Sequence, residues 1–198
     1  TFGSFNNPAK VNEEVIGLWA EVLKSVPGSR LLLKYKNWYG QESLHNNVVE
    51  KFAACGVDQD RIIFATTPDT LAEHLGRYGE VDIAVDPFPF NGATTTFQAL
   101  WMGVPVVSLA GETFISRAAG SMLHHAGLGD LAVDTPEAYV ACARDLAGDL
   151  ERLRTLRTNL RERMTASPLC NAPAYALSVE AAYRDVWGRW CAQPKNIP

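Results

Sequence analysis

A lysine, a histidine and arginine pair, and a threonine cluster hold most of the chemistry that this chain of 198 residues can offer. Lys10 follows an apolar opening stretch and two asparagines, Asn6 and Asn7. A flexible ammonium there can reach a phosphate, and an ordinary exposed lysine near a helix start is the plain alternative. His74 and Arg77 lie three apart, so they share one side of a helix. One can stack on a nucleobase while the other bonds its edge, or both can belong to surface ion pairs with Glu73 or Glu80. From Val81 to Val85 an apolar run leads through a proline-rich turn into Asn91, Gly92, Ala93 and three threonines. Phe97, Leu100, Trp101 and Val104 then recur at helical spacing. A helix start presents unpaired N–H groups and positive dipole, so this junction suits a phosphate or another anion. Thr94 and Gln98 are four apart and align toward the Asn91-Gly92 loop, with helix capping alone as the alternative.

Several common signatures are absent: there is no P-loop, no G-x-G-x-x-G after the first strand, no H-E-x-x-H and no G-x-S-x-G. Gly127 to Leu131 reads as a helix stop rather than a dinucleotide turn. His124 and His125 are adjacent and point different ways on a helix, which argues against joint ligation, and no metal is expected. The net charge of −4 gives no general attraction to nucleic acid or to an anionic membrane surface. No apolar run approaches the roughly 20 residues that cross a bilayer, and nothing resembles a signal peptide. Four cysteines, Cys55, Cys142, Cys170 and Cys191, lack paired spacing and read as reduced thiols of a cytoplasmic protein. The opening "TFGSF" reads as a strand of a chain cut from a longer protein.

The elements that must position these groups alternate. Strand-like runs occupy Thr1 to Phe5, Arg30 to Tyr35, Arg61 to Ala65, Val81 to Val85, Val104 to Leu109 and Leu131 to Val133. A first helix is predicted from about Pro8 to Val26, stopped by Pro27-Gly28, and two later helices open at Thr67-Pro68 and Thr135-Pro136. Alternating strands and helices imply parallel pairing with right-handed crossovers, hence a doubly wound, Rossmann-like α/β sheet. Ligands in such sheets bind beyond the carboxyl ends of strands. Residues 1–148 form this lobe, and residues 149–198 are helices packing on it. In the first of these, Leu150, Leu153, Leu156, Leu160 and Met164 make an apolar stripe, and the arginines read as a solvated face. The last helix carries Tyr175, Val179, Tyr183, Val186, Trp187 and Trp190, a core side or a docking face.

Taken in order, "FNNPAKVNEEVIGLWAEVLKSVPGSRLLL", "RIIF", "EHLGRYGEVDIAVDPFPFNGATTT", "ALWMGVPVV", "GETFISR" and "SPL" resemble the C-terminal catalytic half of the O-linked N-acetylglucosamine transferase family. Its bacterial and plant members include tetratricopeptide-repeat and SPINDLY-like proteins. The resemblance covers nearly the whole chain and implies the two-lobed GT-B architecture, with this chain as the nucleotide-binding lobe. It implies an inverting transfer of N-acetylglucosamine from UDP-N-acetylglucosamine to a Ser or Thr hydroxyl, with no metal or other cofactor. Lys10 matches the lysine that contacts the diphosphate and is the expected catalytic group, and Asn7 takes the place of a nearby glutamine. His74 and Arg77 match residues packed around and bonded to uracil. Thr94 and Thr95 match the pair that holds phosphate, behind backbone supplied by Asn91, Gly92 and Ala93.

The chain departs from the family pattern in three places. A second lysine shortly before the histidine is replaced by Thr70 or Leu71, an acidic ribose contact by Gln98, and a loop histidine by Ala93. The other catalytic lobe, the repeats and the sites for a protein acceptor are expected in regions outside this chain, so alone it is expected to bind UDP weakly and catalyse little. Two other readings fit the residues. One is the matching half of another GT-B-like transferase or nucleotide-sugar epimerase, and the other is a non-catalytic interaction module with a decayed site.

Overall fold

The computed structural model describes residues 1–66 and 70–192. Six short apolar runs become parallel strands: Phe2–Ser4 (β1), Leu31–Lys34 (β2), Ile62–Ala65 (β3), Ile83–Val85 (β4), Val106–Leu109 (β5) and Ala132–Val133 (β6). They lie in the order β3-β2-β1-β4-β5-β6. Phe2 stands beside Leu31 on one side and Ile83 on the other. Parallel neighbours need crossovers, and the helices supply them. These are Glu13–Ser25 (α1), Glu42–Ala54 (α2), Leu71–Gly76 (α3), Thr94–Trp101 (α4), Ala118–His125 (α5) and Pro136–Gly148 (α6). Leu150–Ala166 (α7) and Ala172–Ala192 (α8) follow. Strand order reverses between β1 and β4, and the loops leaving their carboxyl ends open the crevice where such a sheet takes its ligand.

The first helix is shorter than predicted. Pro8–Lys10 form a single 3₁₀ turn capped by the Asn7 side chain, and α1 starts afresh after Asn12, whose Oδ1 accepts from the Val15 amide at 2.9 Å. Asn12 outcompetes continuation because its side chain satisfies an amide that a helix start leaves orphaned. The predicted opening at Thr67-Pro68 lies outside the described residues. The described part of that helix begins at Leu71, under a capping box made by Thr70 and Glu73. Thr135-Pro136 opens α6 as expected, with the Thr135 hydroxyl accepting from the Ala138 amide at 3.1 Å.

Leu156, Leu160 and Met164 of α7 join the same hydrophobic core as the sheet. The α7 arginines are not simply a solvated face. Arg157 donates to the carbonyls of Tyr78, Val81 and Met102, Arg161 to Trp101 and Arg163 to Gly127, while Arg152 pairs with Asp130 at 2.7 Å. Long stems covering apolar surface, with heads that meet orphaned carbonyls at helix ends, explain why sequence pattern alone missed this. The last helix, α8, has no buried residue, and Trp187 and Trp190 are 66% and 61% exposed. Its aromatic side is therefore not core within this chain.

At the end of α4 the chain turns through Gly103, with φ of 80°. Its amide bonds the Leu100 carbonyl and the next amide, of Val104, bonds Ala99, closing the helix in a left-handed cap. A Cβ at Gly103 would stand 2.6 Å from the Arg157 carbonyl oxygen of α7. Gly103→Ala is expected to cost about 2 kcal/mol, from left-handed backbone plus this contact. Thermal unfolding should show a Tm lower by roughly 4–8 °C.

Candidate functional site

The loop after β1 and the loop after β4 meet. One 3₁₀ turn carries Lys10 back across the sheet end, where its Nζ donates to the Asn91 carbonyl at 2.9 Å and sits 4.0 Å from the Phe90 ring centroid. Burial lowers the Lys10 ammonium from its ordinary range, and the Asp86 carboxylate pulls it partly back. Asp86 follows β4 directly and is fully buried. Its two oxygens accept from the Gly92 amide at 2.7 Å and the Ser108 hydroxyl at 2.8 Å. Desolvation nevertheless pushes its carboxyl up to about 7, against those two donors and Lys10. The Asp86 carbonyl accepts from the Tyr139 hydroxyl, which in turn accepts from the Trp19 indole. The packed pair α1 and α6 thus braces this turn.

The start of α4 lies over the same opening. Ala93 stands at the cap position and supplies no side-chain cap. Among the described residues, no protein acceptor takes the amides of Ala93, Thr94 or Thr95. The amides before them are committed, Asn91 to the Ile115 carbonyl and Gly92 to Asp86. The free amides therefore begin at Ala93, not at Asn91 as the sequence suggests. The Asn91 side chain is also structural: it is buried and donates to Pro87 and Leu109 carbonyls. Gly92 is required by close approach, since an added Cβ would lie 2.5 Å from the Thr95 hydroxyl and 2.9 Å from Asp86. Of the threonines, Thr95 donates to Asn6 Oδ1 at 3.0 Å and Thr96 to the Gly92 carbonyl at 3.1 Å. Thr94 is the one that stands exposed.

Between these elements lies a cleft of about 860 Å³. Its walls include Asn7, Lys10, Lys34, Lys36, His74, Phe90, Ala93, Thr94, Thr95 and Gln98, and among the described residues no aspartate or glutamate lines it. Phe90 does not fill it, being half exposed at the rim. Asn7 is partly occupied by capping, with Oδ1 on the Ala9 amide and Nδ2 near the Tyr35 hydroxyl. His74 rests beside Phe5 and Tyr78, with one nitrogen 2.9 Å from Lys34 Nζ and the other 3.1 Å from Gln98 Oε1. Arg77 is not brought to the cleft wall; it pairs with Glu80 at 3.3 Å. Another cavity, of about 730 Å³, opens around Thr1, Gly28 and Asp82. It lies at the amino ends of the strands, away from the crevice that this topology provides.

Sequence reasoning missed Lys34 and Asp86. Lys34 closes an apolar strand and is only 2% exposed, and a lysine ending a strand in this fold class was itself the available signal. The fold and the cleft together define a doubly wound α/β lobe, with cations and free amides converging at the switch point. A model of glycosyl transferase family 41 matches residues 1–179, and the chain belongs to that family.

The chain is 38% identical over 191 residues to a SPINDLY protein of Arabidopsis thaliana, described as a probable UDP-N-acetylglucosamine-peptide N-acetylglucosaminyltransferase. That match covers 96% of this chain and 21% of the relative. A Caenorhabditis elegans UDP-N-acetylglucosamine-peptide N-acetylglucosaminyltransferase is 30% identical over 189 residues, covering 96% of this chain and 16% of its own length. Among solved structures, a Thermobaculum terrenum O-GlcNAc transferase mutant superposes with a TM-score of 0.86 at 34% identity. That match covers 94% of this chain and 35% of the other. The chain thus spans about a fifth of the plant relative and a third of the solved bacterial protein.

Proposed function

We propose that this lobe holds the nucleotide diphosphate of a sugar donor, UDP-N-acetylglucosamine, for inverting transfer to Ser or Thr hydroxyls of proteins. The observation that carries this reading is the convergence of the Lys10 ammonium and the uncapped start of α4 on one cleft. In a chain of net charge −4, a wall with three lysines and, among the described residues, no carboxylate favours an anion. Lys10 and the amides of Ala93 to Thr95 take the phosphates, and the Thr94 hydroxyl adds a donor. His74 packs against the base, and Gln98 meets the ribose. Asn91 and Gly92 shape the loop instead of touching the ligand. Arg77 reaches the base only by leaving Glu80.

No metal enters this scheme, since fixed cations and amides stabilise the departing diphosphate. The activities by which the plant and nematode relatives are described support the donor and the protein acceptor. The other lobe, any repeats and the acceptor groove are supplied by regions beyond this chain, and α8 offers them its exposed apolar stripe.

UDP added to the chain should raise its Tm, because a ligand that binds only the folded state stabilises it. His74→Ala is expected to weaken UDP binding by about tenfold, the loss of one packed base contact. Calorimetry with a panel of UDP- and GDP-sugars checks the donor. A flat response to millimolar UDP would favour a decayed, non-catalytic module.

A further inference from the structure

We propose that Lys34 is a positioning residue that fixes His74 as its Nε2–H tautomer and, through it, turns the amide NH₂ of Gln98 into the cleft. The consequence for ligand recognition rests on the nucleotide reading above; the tautomer itself does not. Lys34 Nζ lies 2.9 Å from His74 Nδ1, and His74 Nε2 lies 3.1 Å from Gln98 Oε1. An ammonium has three protons and no lone pair, so it can only donate. Nδ1 must therefore accept, which leaves the single imidazole proton on Nε2. A proton on Nδ1 would set two N–H groups against each other across the 2.9 Å contact, so this geometry calls for an accepting Nδ1. The Nε2–H then needs an acceptor, and among the described residues the amide oxygen of Gln98 is the one placed to serve. This chemistry decides which way the Gln98 amide points.

The surroundings hold the geometry. Lys34 is buried at the carboxyl end of β2, with its Nζ 5.7 Å from the Phe5 ring centroid. The same ring lies 5.7 Å from that of His74, and Tyr78 meets His74 edge-on at 5.9 Å. Gln98 stands one turn along from Thr94 on α4, so its NH₂ adds a donor next to the free helix start. The cleft wall at this point offers a hydrogen to an oxygen acceptor, such as a ribose or phosphate oxygen. A carboxylate at this place would do the reverse and accept from a ribose hydroxyl. Lys34, forty residues before His74 in sequence, thereby sets which ligand edge is read.

Nitrogen-15 NMR of histidine-labelled protein tests this without ligand, with His74→Gln assigning the signals. The expected spectrum shows His74 with an unprotonated Nδ1 and a protonated Nε2. Lys34→Met should convert it to a mixture of tautomers, while Lys34→Arg, which still donates, should retain it. Gln98→Leu should leave Nδ1 unprotonated.

A protonated Nδ1 in the wild-type protein overturns the proposal, as does an unchanged tautomer in folded Lys34→Met. Scrambling by Gln98→Leu alone also overturns it, since Gln98 would then be the controlling partner. If Lys34→Met fails to fold, the wild-type and Lys34→Arg spectra still decide. A parallel titration with UDP should show affinity about tenfold lower in Lys34→Met, one lost oriented hydrogen bond. Failure of the wild-type protein to bind UDP would instead sink the nucleotide reading, with the nitrogen signature still standing.

Discussion

Lys10→Ala in the complete enzyme is expected to lower turnover by roughly 10²-fold or more, the loss typical of removing one fixed charge-stabilising donor. In the proposed transfer, negative charge grows on the departing diphosphate as its bond to the sugar breaks. An ammonium held in place by the Asn91 carbonyl and the Phe90 ring meets that charge without reorganising. Such a contact strengthens toward the transition state, so kcat and kcat/KM should fall together while KM moves little. Initial rates at saturating donor measure this directly. Turnover within a few-fold of normal would show that the diphosphate is stabilised elsewhere.

The second large effect is on stability. Asp86→Ala removes a fully buried carboxylate and leaves the Gly92 amide and Ser108 hydroxyl without their acceptor. A cost of about 2–4 kcal/mol is expected, with a Tm lower by roughly 5–15 °C. Asp86→Asn keeps the shape and isolates the charge. The Asp86 carboxyl titrates near 7 in the folded protein, against an ordinary value of 3.8. The folded state therefore holds this proton more tightly than the unfolded chain. The resulting stability is complete below about pH 4 and is lost as pH rises through about 7, with a slope of at most about 1.4 kcal/mol per pH unit. Denaturant unfolding of wild type and Asp86→Asn across this range should show the decline only where the carboxyl remains. A parallel decline in both would assign it to other groups.

These two residues differ in how far the sequence betrays them. The placement of Lys10 and Thr94 at one end of the sheet was legible because each follows an apolar strand-like run. The six strands were legible for the same reason, as buried runs between turn signals. Asp86 was not, because its partners Gly92 and Ser108 are chosen by tertiary packing and its burial leaves no periodic trace. Lys34 escaped because its partner stands forty residues away, on a helix whose own pattern points only to Glu73 and Glu80. The break between Lys10 and α1 was missed although Asn12, followed by Glu13 and Glu14, carries a helix-start signature. Arg77 was drawn toward the base by resemblance, yet the local ion pair holds it.

The last helix has a practical bearing. Twenty-one residues with aromatic side chains on an uncovered flank make poor company in concentrated solution. Copies of this length of chain should stick to one another through Tyr183, Trp187 and Trp190, and sedimentation would report that clumping. Mutating those three to polar residues, or supplying whatever normally shields them, is the route to a well-behaved sample.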